Sequence, residues 1–299
     1  MNWFKRLFAP LAAFLAIASP AAARAPQQQA RPALWEVKHA DSTIYLFGTI
    51  HLLPTGYHWR TPKFDKALSS SNELVVETIV DLQHPDEILN AKRELGYSAG
   101  LPPIEDRVPP AKRTRLRAMI AKTGVPEQYF TSMESWLAAF ELLGVQFQEM
   151  GLKGEAGPEQ ILRNEFQVAK KPIGQLETNA EQLSYFDRLP EKAQRLLLEG
   201  AIDEPKGTDA DFSKMLASWS RGDVKAIAFS FNRDLSGSPD LMNSLIKQRN
   251  ANWTSWIEQR LTKPGTAFVA VGAGHLAGEG SVQKDLAESY RLKAVRVSY

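Results

Sequence analysis

The chain has 299 residues, with 36 Lys+Arg against 34 Asp+Glu, a formal net charge of +2 at pH 7, and no cysteine. So even a balance gives no support to a nucleic-acid surface or a polybasic membrane patch. Without thiols there are no disulfides, no cysteine nucleophile and no thiolate metal site, so stability rests on a core that a chain of this length can bury.

Residues 1–23 read as a secretory signal peptide. Lys5 and Arg6 form its positive start, Leu7 to Ile17 its apolar stretch, and Ser19-Pro20-Ala21-Ala22-Ala23 a small-residue exit with cleavage after Ala23. The apolar run is shorter than the roughly 20 residues of a membrane span. The mature protein is therefore expected in a periplasm or outside the cell, with no membrane anchor. Cleavage removes only Lys5 and Arg6 among charged residues and leaves 34 of each sign. Residues 24–32 form a polar linker, and residues 33–299 form one domain.

In that domain Leu34–His39 and Ser42–Ile50 flank Ala40-Asp41 and predict a β-hairpin. A short helix around Pro62–Ser69 precedes a third strand, Glu73–Thr78. Apolar residues at three- and four-residue spacing then predict helices at Ala111–Thr123, Met133–Met150, Pro158–Ala169, Ala180–Phe186 and Glu191–Ala201. Lys170 to Gly174 suggest a short strand leading to a helix N-cap at Thr178 or Asn179. Helices Asp209–Trp219 and Pro239–Leu261 lead into a glycine-bearing strand ending at Gly272. A helix to Tyr290 and a strand Lys293–Val297 close the chain. This order predicts an α/β fold, a single domain with a mixed central sheet formed by N- and C-terminal segments and a large central helical insertion.

Two of the five histidines share an unusual setting. His51 ends Ile44-Tyr45-Leu46-Phe47-Gly48-Thr49-Ile50-His51, and His275 ends Ala267-Phe268-Val269-Ala270-Val271-Gly272-Ala273-Gly274-His275. Each is reached by a Gly-x-x-His step after an apolar run, which places it at the carboxyl end of a buried strand, where α/β sheets bind ligands. Glu77 follows Leu74-Val75-Val76, and a carboxylate there is costly unless paired or bound to a cation. Two imidazoles and a carboxylate match the ligand set of a zinc, manganese or cobalt site on His51, Glu77 and His275. Arg249, beside Asn250 and Trp253, offers either a charge for a substrate or an ordinary ion pair, and Glu177 reads as structural. His58 follows His51 in a loop able to fold over the same crevice; His39 and His84 read as ordinary polar residues. Gly272-Ala273-Gly274-His275-Leu276-Ala277 also fits G-x-G-x-x-A, but the chain ends 24 residues after His275 with no acidic residue closing the last strand, which argues against a dinucleotide fold. G-x-S-x-G, H-E-x-x-H and P-loop motifs are absent.

Gly48-Thr49-Ile50-His51-Leu52-Leu53-Pro54, the Leu74–Glu77 strand, Lys171-Pro172-Ile173-Gly174-Gln175-Leu176-Glu177-Thr178, Arg249-Asn250 with Trp253, and Val269–Gly278 together resemble the TraB/GumN family, related to the animal Tiki proteins. The resemblance runs from about residue 33 to the C-terminus. It implies a fold like the erythromycin esterase and ChaN group and an active site of His51, His275 and Glu77, lined by Arg249 and Asn250. Tiki relatives behave as metal-dependent peptidases. Two departures are visible. Gly157-Pro158-Glu159-Gln160-Ile161-Leu162 stands where the family has Gly, an apolar residue and Asp before two variable residues and Leu. Ser289–Leu292 lacks the glycine usual before the last strand. Both are expected to lie outside the site.

The expected activity is that of an exported, metal-dependent hydrolase acting on a peptide or small-molecule amide. His51 and His275 would bind the metal or polarise the substrate, Glu77 would be a third ligand or the general base, and Arg249 would stabilise developing negative charge. A metal-free version would activate water with a histidine and Glu77. The alternative is a non-catalytic binding protein for haem, a peptide pheromone or an exported polysaccharide.

Overall fold

A computed structural model describes residues 30–298 except 82–83, 153, 204–207 and 236. The expected signal peptide and residues 24–29 of the linker lie outside the described residues. The end of that linker is part of the domain: Ala30 is buried, and the Arg31 N–H donates to Ser220 O at 2.6 Å.

Six strands among the described residues form one mixed sheet: β1 (Leu34–His39), β2 (Ser42–Thr49), β3 (Glu73–Val76), β4 (Ile173–Gln175), β5 (Gly265–Gly272) and β6 (Ala294–Arg296), in the order β4-β3-β5-β2-β1-β6. Strands β2, β5, β3 and β4 pair in parallel, while β1 is antiparallel to both β2 and β6. The sheet joins the two ends of the chain as expected, with one addition: edge strand β4 comes from the middle of the sequence.

The helices are α1 (Pro62–Ser69), α2 (Asp86–Leu95), α3 (Arg113–Thr123), α4 (Glu127–Ser132), α5 (Ser135–Glu149), α6 (Pro158–Val168) and α7 (Asn179–Asp187). They continue with α8 (Glu191–Ile202), α9 (Thr208–Ser220), α10 (Val224–Leu235), α11 (Pro239–Met242), α12 (Gln248–Leu261) and α13 (Val282–Tyr290). The pattern at Pro239–Leu261 is not one continuous α-helix. A π-helical turn, Asn243–Lys247, separates α11 from α12, a feature that often marks functional sites.

The period-two pattern of β5 shows why the sheet is buried on both faces. Ala267, Val269 and Val271 join Val37, Ile44, Leu46 and Val75 on one face, under Trp253 and Ile257 of α12 and Leu286 of α13. Phe268 and Ala270 join Phe47, Leu74 and Val76 on the other, against Phe64 of α1, Leu162 and Phe166 of α6, and Trp219 of α9. Phe47 and Phe268 are fully buried, each contributing on the order of 2–3 kcal/mol of apolar transfer. A separate core fills the helical insertion, where Trp136 and Phe140 of α5 pack on Phe186 of α7 and Leu197 of α8. The insertion returns to the sheet through α6 and β4, which brings its residues to the crevice.

Candidate active site

Four parallel strands end at one edge, and each delivers a polar side chain. Thr49 of β2 lies in register with Gly272 of β5, and Val76 of β3 with Ala270 of β5 and Gln175 of β4. His51 therefore follows the end of β2, Glu77 that of β3, Glu177 that of β4 and His275 that of β5. Helix α12 presents Arg249 and Asn250 to the same point. All five sequence-predicted site residues converge, and Glu177 joins them.

Arg249 is the hub. Its Nε donates to Glu177 Oε1 and Oε2 at 2.9 and 3.0 Å, and its Nη2 to Glu77 Oε2 at 2.6 Å and Glu177 Oε2 at 2.9 Å. Its Nη1 donates to His275 Nε2 at 3.2 Å, with Leu245 O at 3.5 Å. Trp253 stacks beneath, with the guanidinium carbon 4.7 Å from its ring centre, and its indole N–H donates to Glu177 Oε1 at 2.9 Å. The five donors of the guanidinium are thus committed to two buried carboxylates, an imidazole and the Leu245 carbonyl. Arg249 has none left for a developing oxyanion, so the role expected for it passes to carboxylate positioning.

Burial by itself would raise the pKa of Glu77, but the charge of Arg249 foremost, with that of His51 and the Gly272 N–H, 2.6 Å from Oε1, outweighs it and holds the carboxyl at about 2. Burial raises Glu177, against the opposing charge of Arg249. His275 is held neutral. Burial first, then the adjacent Arg249 charge, lower its pKa to about 3. Its Nδ1–H donates to Asn250 Oδ1 at 2.6 Å, and Asn250 Nδ2 donates to Gly280 O at 2.5 Å. These partners assign the tautomer: the proton is on Nδ1, and the Nε2 lone pair faces Arg249.

His51 is the opposite case. Its Nδ1 lies 2.5 Å from Glu159 Oε1, which also accepts from Thr49 Oγ1. Burial would lower the His51 pKa, but the Glu159 charge and hydrogen bond, with a further contribution from Glu77, raise it to about 9. Glu159 comes from the first turn of α6, in the segment expected to lie outside the site. That expectation is corrected by contact. The segment reaches the site because residue 157 is glycine: a Cβ there would run into the His51 carbonyl oxygen. Gly272 leaves a second space. A Cβ on it would stand 3.1 Å from Glu77 Oε1, 3.2 Å from His51 Nε2 and 3.7 Å from His275 Cδ2. Three polar side chains surround a point that the sequence keeps free of any side chain.

Two small cavities meet at His51 and Glu77. One, about 70 Å³, extends past Gln160, Arg163 and Gln182. The other, about 30 Å³, extends past Ile50, Met215, Trp219 and Ile227. His58 lines neither and is exposed, although Tyr57 of the same loop bonds Ser220 of α9.

The metal ligand set expected on His51, Glu77 and His275 does not fit this arrangement. The Arg249 guanidinium sits on both the His275 Nε2 lone pair and the Glu77 carboxylate. Among the described residues, no group of three or more His, Asp or Glu could hold a metal ion. A ligand atom must offer a free lone pair to its cation, and here a fixed organic cation already takes that of His275 Nε2 and covers Glu77 Oε2, which breaks the three-ligand set.

The model of the TraB/PrgY/gumN family matches residues 33–292, which span every group in the cluster. The chain belongs to that family. Among curated proteins, the family member here is 25% identical over 246 residues to the "Uncharacterized protein YbaP" of Escherichia coli (strain K12), covering 81% of this chain and 87% of that protein. The match to the YbaP protein of Shigella flexneri is 25% over 245 residues, with the same coverage. No solved structure matches the chain. Family membership therefore agrees with the motif reading, and the α/β fold with the expected architecture.

Proposed function

We propose that this family member is an exported hydrolase that cleaves a peptide or amide bond, with His51 as the proton-transfer group and without a resident metal. The observation that carries the reading is the His51–Glu159 pair, whose free Nε2 faces Glu77 Oε1 across the space beside Gly272. A histidine with one nitrogen fixed by a carboxylate and the other aimed into a crevice has the geometry of a general acid–base.

In this mechanism a water beside Gly272 lies between His51 Nε2 and Glu77 Oε1. Neutral His51 takes one proton as the water oxygen adds to the carbonyl carbon, and the imidazolium then protonates the leaving nitrogen as the C–N bond breaks. Glu159 stabilises the imidazolium and fixes the ring. Glu77, held near 2, is too weak a base to take the proton itself; it orients the water by accepting the second O–H. Arg249 and Asn250 position Glu77 and His275 rather than touch the reacting atoms. At pH 7 about one His51 in a hundred is in the neutral form, given a pKa of about 9. Turnover therefore rises with pH until that value is passed. Export is supported by the character of residues 1–23.

The test is hydrolysis of a peptide library by the mature protein, with and without a chelator, beside His51→Ala and Glu77→Gln. Turnover that survives chelation and disappears in both variants with the fold intact supports the reading. Turnover lost to chelator and restored by zinc, manganese or cobalt defeats the metal-free mechanism. A wild type without turnover, whose ligand binding survives Glu77→Gln, makes the crevice a binding site.

A further inference from the structure

The larger cavity at His51 and Glu77 contains polar atoms that the proposed proton transfer does not use. Arg163, on α6 one turn beyond Glu159, is 7% exposed and lines it. Its Nη1 donates to Val80 O at 2.7 Å and Gln160 Oε1 at 3.2 Å, but its buried Nε has no partner. Among the described residues it makes no ion pair. Gln182, from α7, lines the same cavity at 5% exposure. Its Nε2 reaches Glu77 Oε2 at 3.4 Å, and its buried Oε1 accepts nothing.

Another buried arginine shows what a purely structural one looks like in this fold. Arg107 donates from Nε to Pro102 O at 2.8 Å, from Nη1 to Met133 O at 2.5 Å and from Nη2 to Thr131 O at 2.6 Å, and it lines no cavity described here. Burial lowers the pKa of both guanidinium groups. Only in Arg107 do backbone carbonyls take up all three nitrogens. The charge of Asp81 acts on Arg163 without a direct contact, and the carboxylates of Glu77 and Glu159 on the same cavity are taken up by Arg249 and His51. A buried guanidinium with an unsatisfied N–H beside open space is completed by an anion. The cavity, about 70 Å³, exceeds the roughly 10–15 Å³ that one water requires and admits a carboxylate with its neighbouring atoms.

We infer that this cavity is the carboxylate subsite of the substrate: Arg163 pairs with a free carboxylate, and Gln182 Oε1 accepts an N–H from the same substrate residue. The assignment rests on the hydrolase reading for its orientation, with the carboxylate-bearing half beside Arg163 and the other half toward Ile50, Met215 and Trp219. A donor and an acceptor with those two needs are the complement of an amino-acid residue. The carboxylate comes either from a peptide C-terminus or from an Asp or Glu side chain.

The experiment is equilibrium dialysis of the mature protein against tetrapeptide mixtures prepared as free acids and as carboxamides, read by mass spectrometry. The carboxamide set includes matched Glu and Gln peptides. It is run on the wild type and on His51→Ala, which removes turnover under the hydrolase reading yet keeps Arg163 and Gln182. The expected result is at least about tenfold preference for the carboxylate form, as for a charge-assisted hydrogen bond, abolished by Arg163→Gln. Preference for free acids assigns the terminus; preference for Glu over Gln among carboxamides assigns the side chain. Equal retention of charged and neutral forms, or retention of neither, overturns the subsite. Should Arg163→Gln not fold, the acid-against-amide comparison in the wild type decides alone. Failure of the hydrolase reading shows separately, as wild-type binding without turnover.

Discussion

Replacing Glu159 by Gln tests the centre of the site without any substrate. The change keeps shape and removes one charge 2.5 Å from His51 Nδ1. In the wild type that charge and its hydrogen bond, with a smaller contribution from Glu77, lift His51 from 6.5 to about 9 against the opposing effect of burial. At roughly 1.36 kcal/mol per tenfold, the difference corresponds to about 3 kcal/mol of stabilisation. Because the folded pKa is raised, this stability is fully present below pH 6.5 and is lost as pH rises through about 9. In Glu159→Gln the charge is gone and burial is unopposed on that side, so the imidazole titrates well below the wild type. The assay is NMR titration of the His51 ring with urea unfolding at about pH 6 and about pH 10. The stability gap between the proteins should be widest at the lower pH and close at the higher. An unchanged His51 titration, or a gap equal at both pH values, would refute the electrostatic account of the pair. Under the proton-transfer mechanism, the rising limb of activity also moves to lower pH in the variant.

Arg249→Met leaves Glu77 and Glu177, with side chains 8% and 3% exposed, buried without their cation. Urea unfolding at neutral pH should show a loss of about 3–5 kcal/mol. Glu77 contributes stability above its unfolded value of 4.5 and loses it as pH falls toward about 2, so that deficit should shrink in acid. Gly272→Ala places a methyl 3.1 Å from Glu77 Oε1 and 3.2 Å from His51 Nε2. Turnover should vanish while stability falls by only about 1–3 kcal/mol; full activity would show that the space is not used. Arg291→Gly should raise stability by about 0.5–1 kcal/mol in thermal unfolding, since Arg291 closes α13 at φ 58. That left-handed cap lies within Ser289–Leu292, the stretch in which a glycine is expected before the last strand.

The parts of the site that can be read from sequence are those announced by their own neighbours. An apolar run, a glycine and a histidine mark β2 and β5, and a carboxylate after Leu74-Val75-Val76 marks β3, because strand burial writes itself into consecutive residues. Arg249 and Asn250 are visible in pattern, but not their task, which depends on partners 72 and 172 residues away in the case of Arg249. Glu159 escaped for the same reason: its partner is 108 positions distant. A signal was present in α6 all the same, since Glu159 and Arg163 fall on the stripe that continues to buried Phe166, where an amphipathic surface helix would carry apolar groups. Helices α2, α4 and α10 were not expected. In α2, Ile88, Leu89, Ala91 and Leu95 stand among charged residues, too sparse a pattern to separate from a polar loop. The π turn before α12 is likewise invisible, because one extra residue per turn leaves the overall spacing of apolar groups nearly helical.

The position of β5 governs when this protein can fold. It separates β2 from β3, which do not pair with each other, yet it is made from residues 265–272. A chain emerging vectorially at roughly 5–20 residues per second therefore holds two apolar strands without their common neighbour until most of it has been synthesised. Contacts of such sequence separation form slowly, and neither the sheet nor the crevice can close around a shorter product. The helical insertion can gather its own core earlier, but the sheet and the crevice stay incomplete until residues 265–272 arrive.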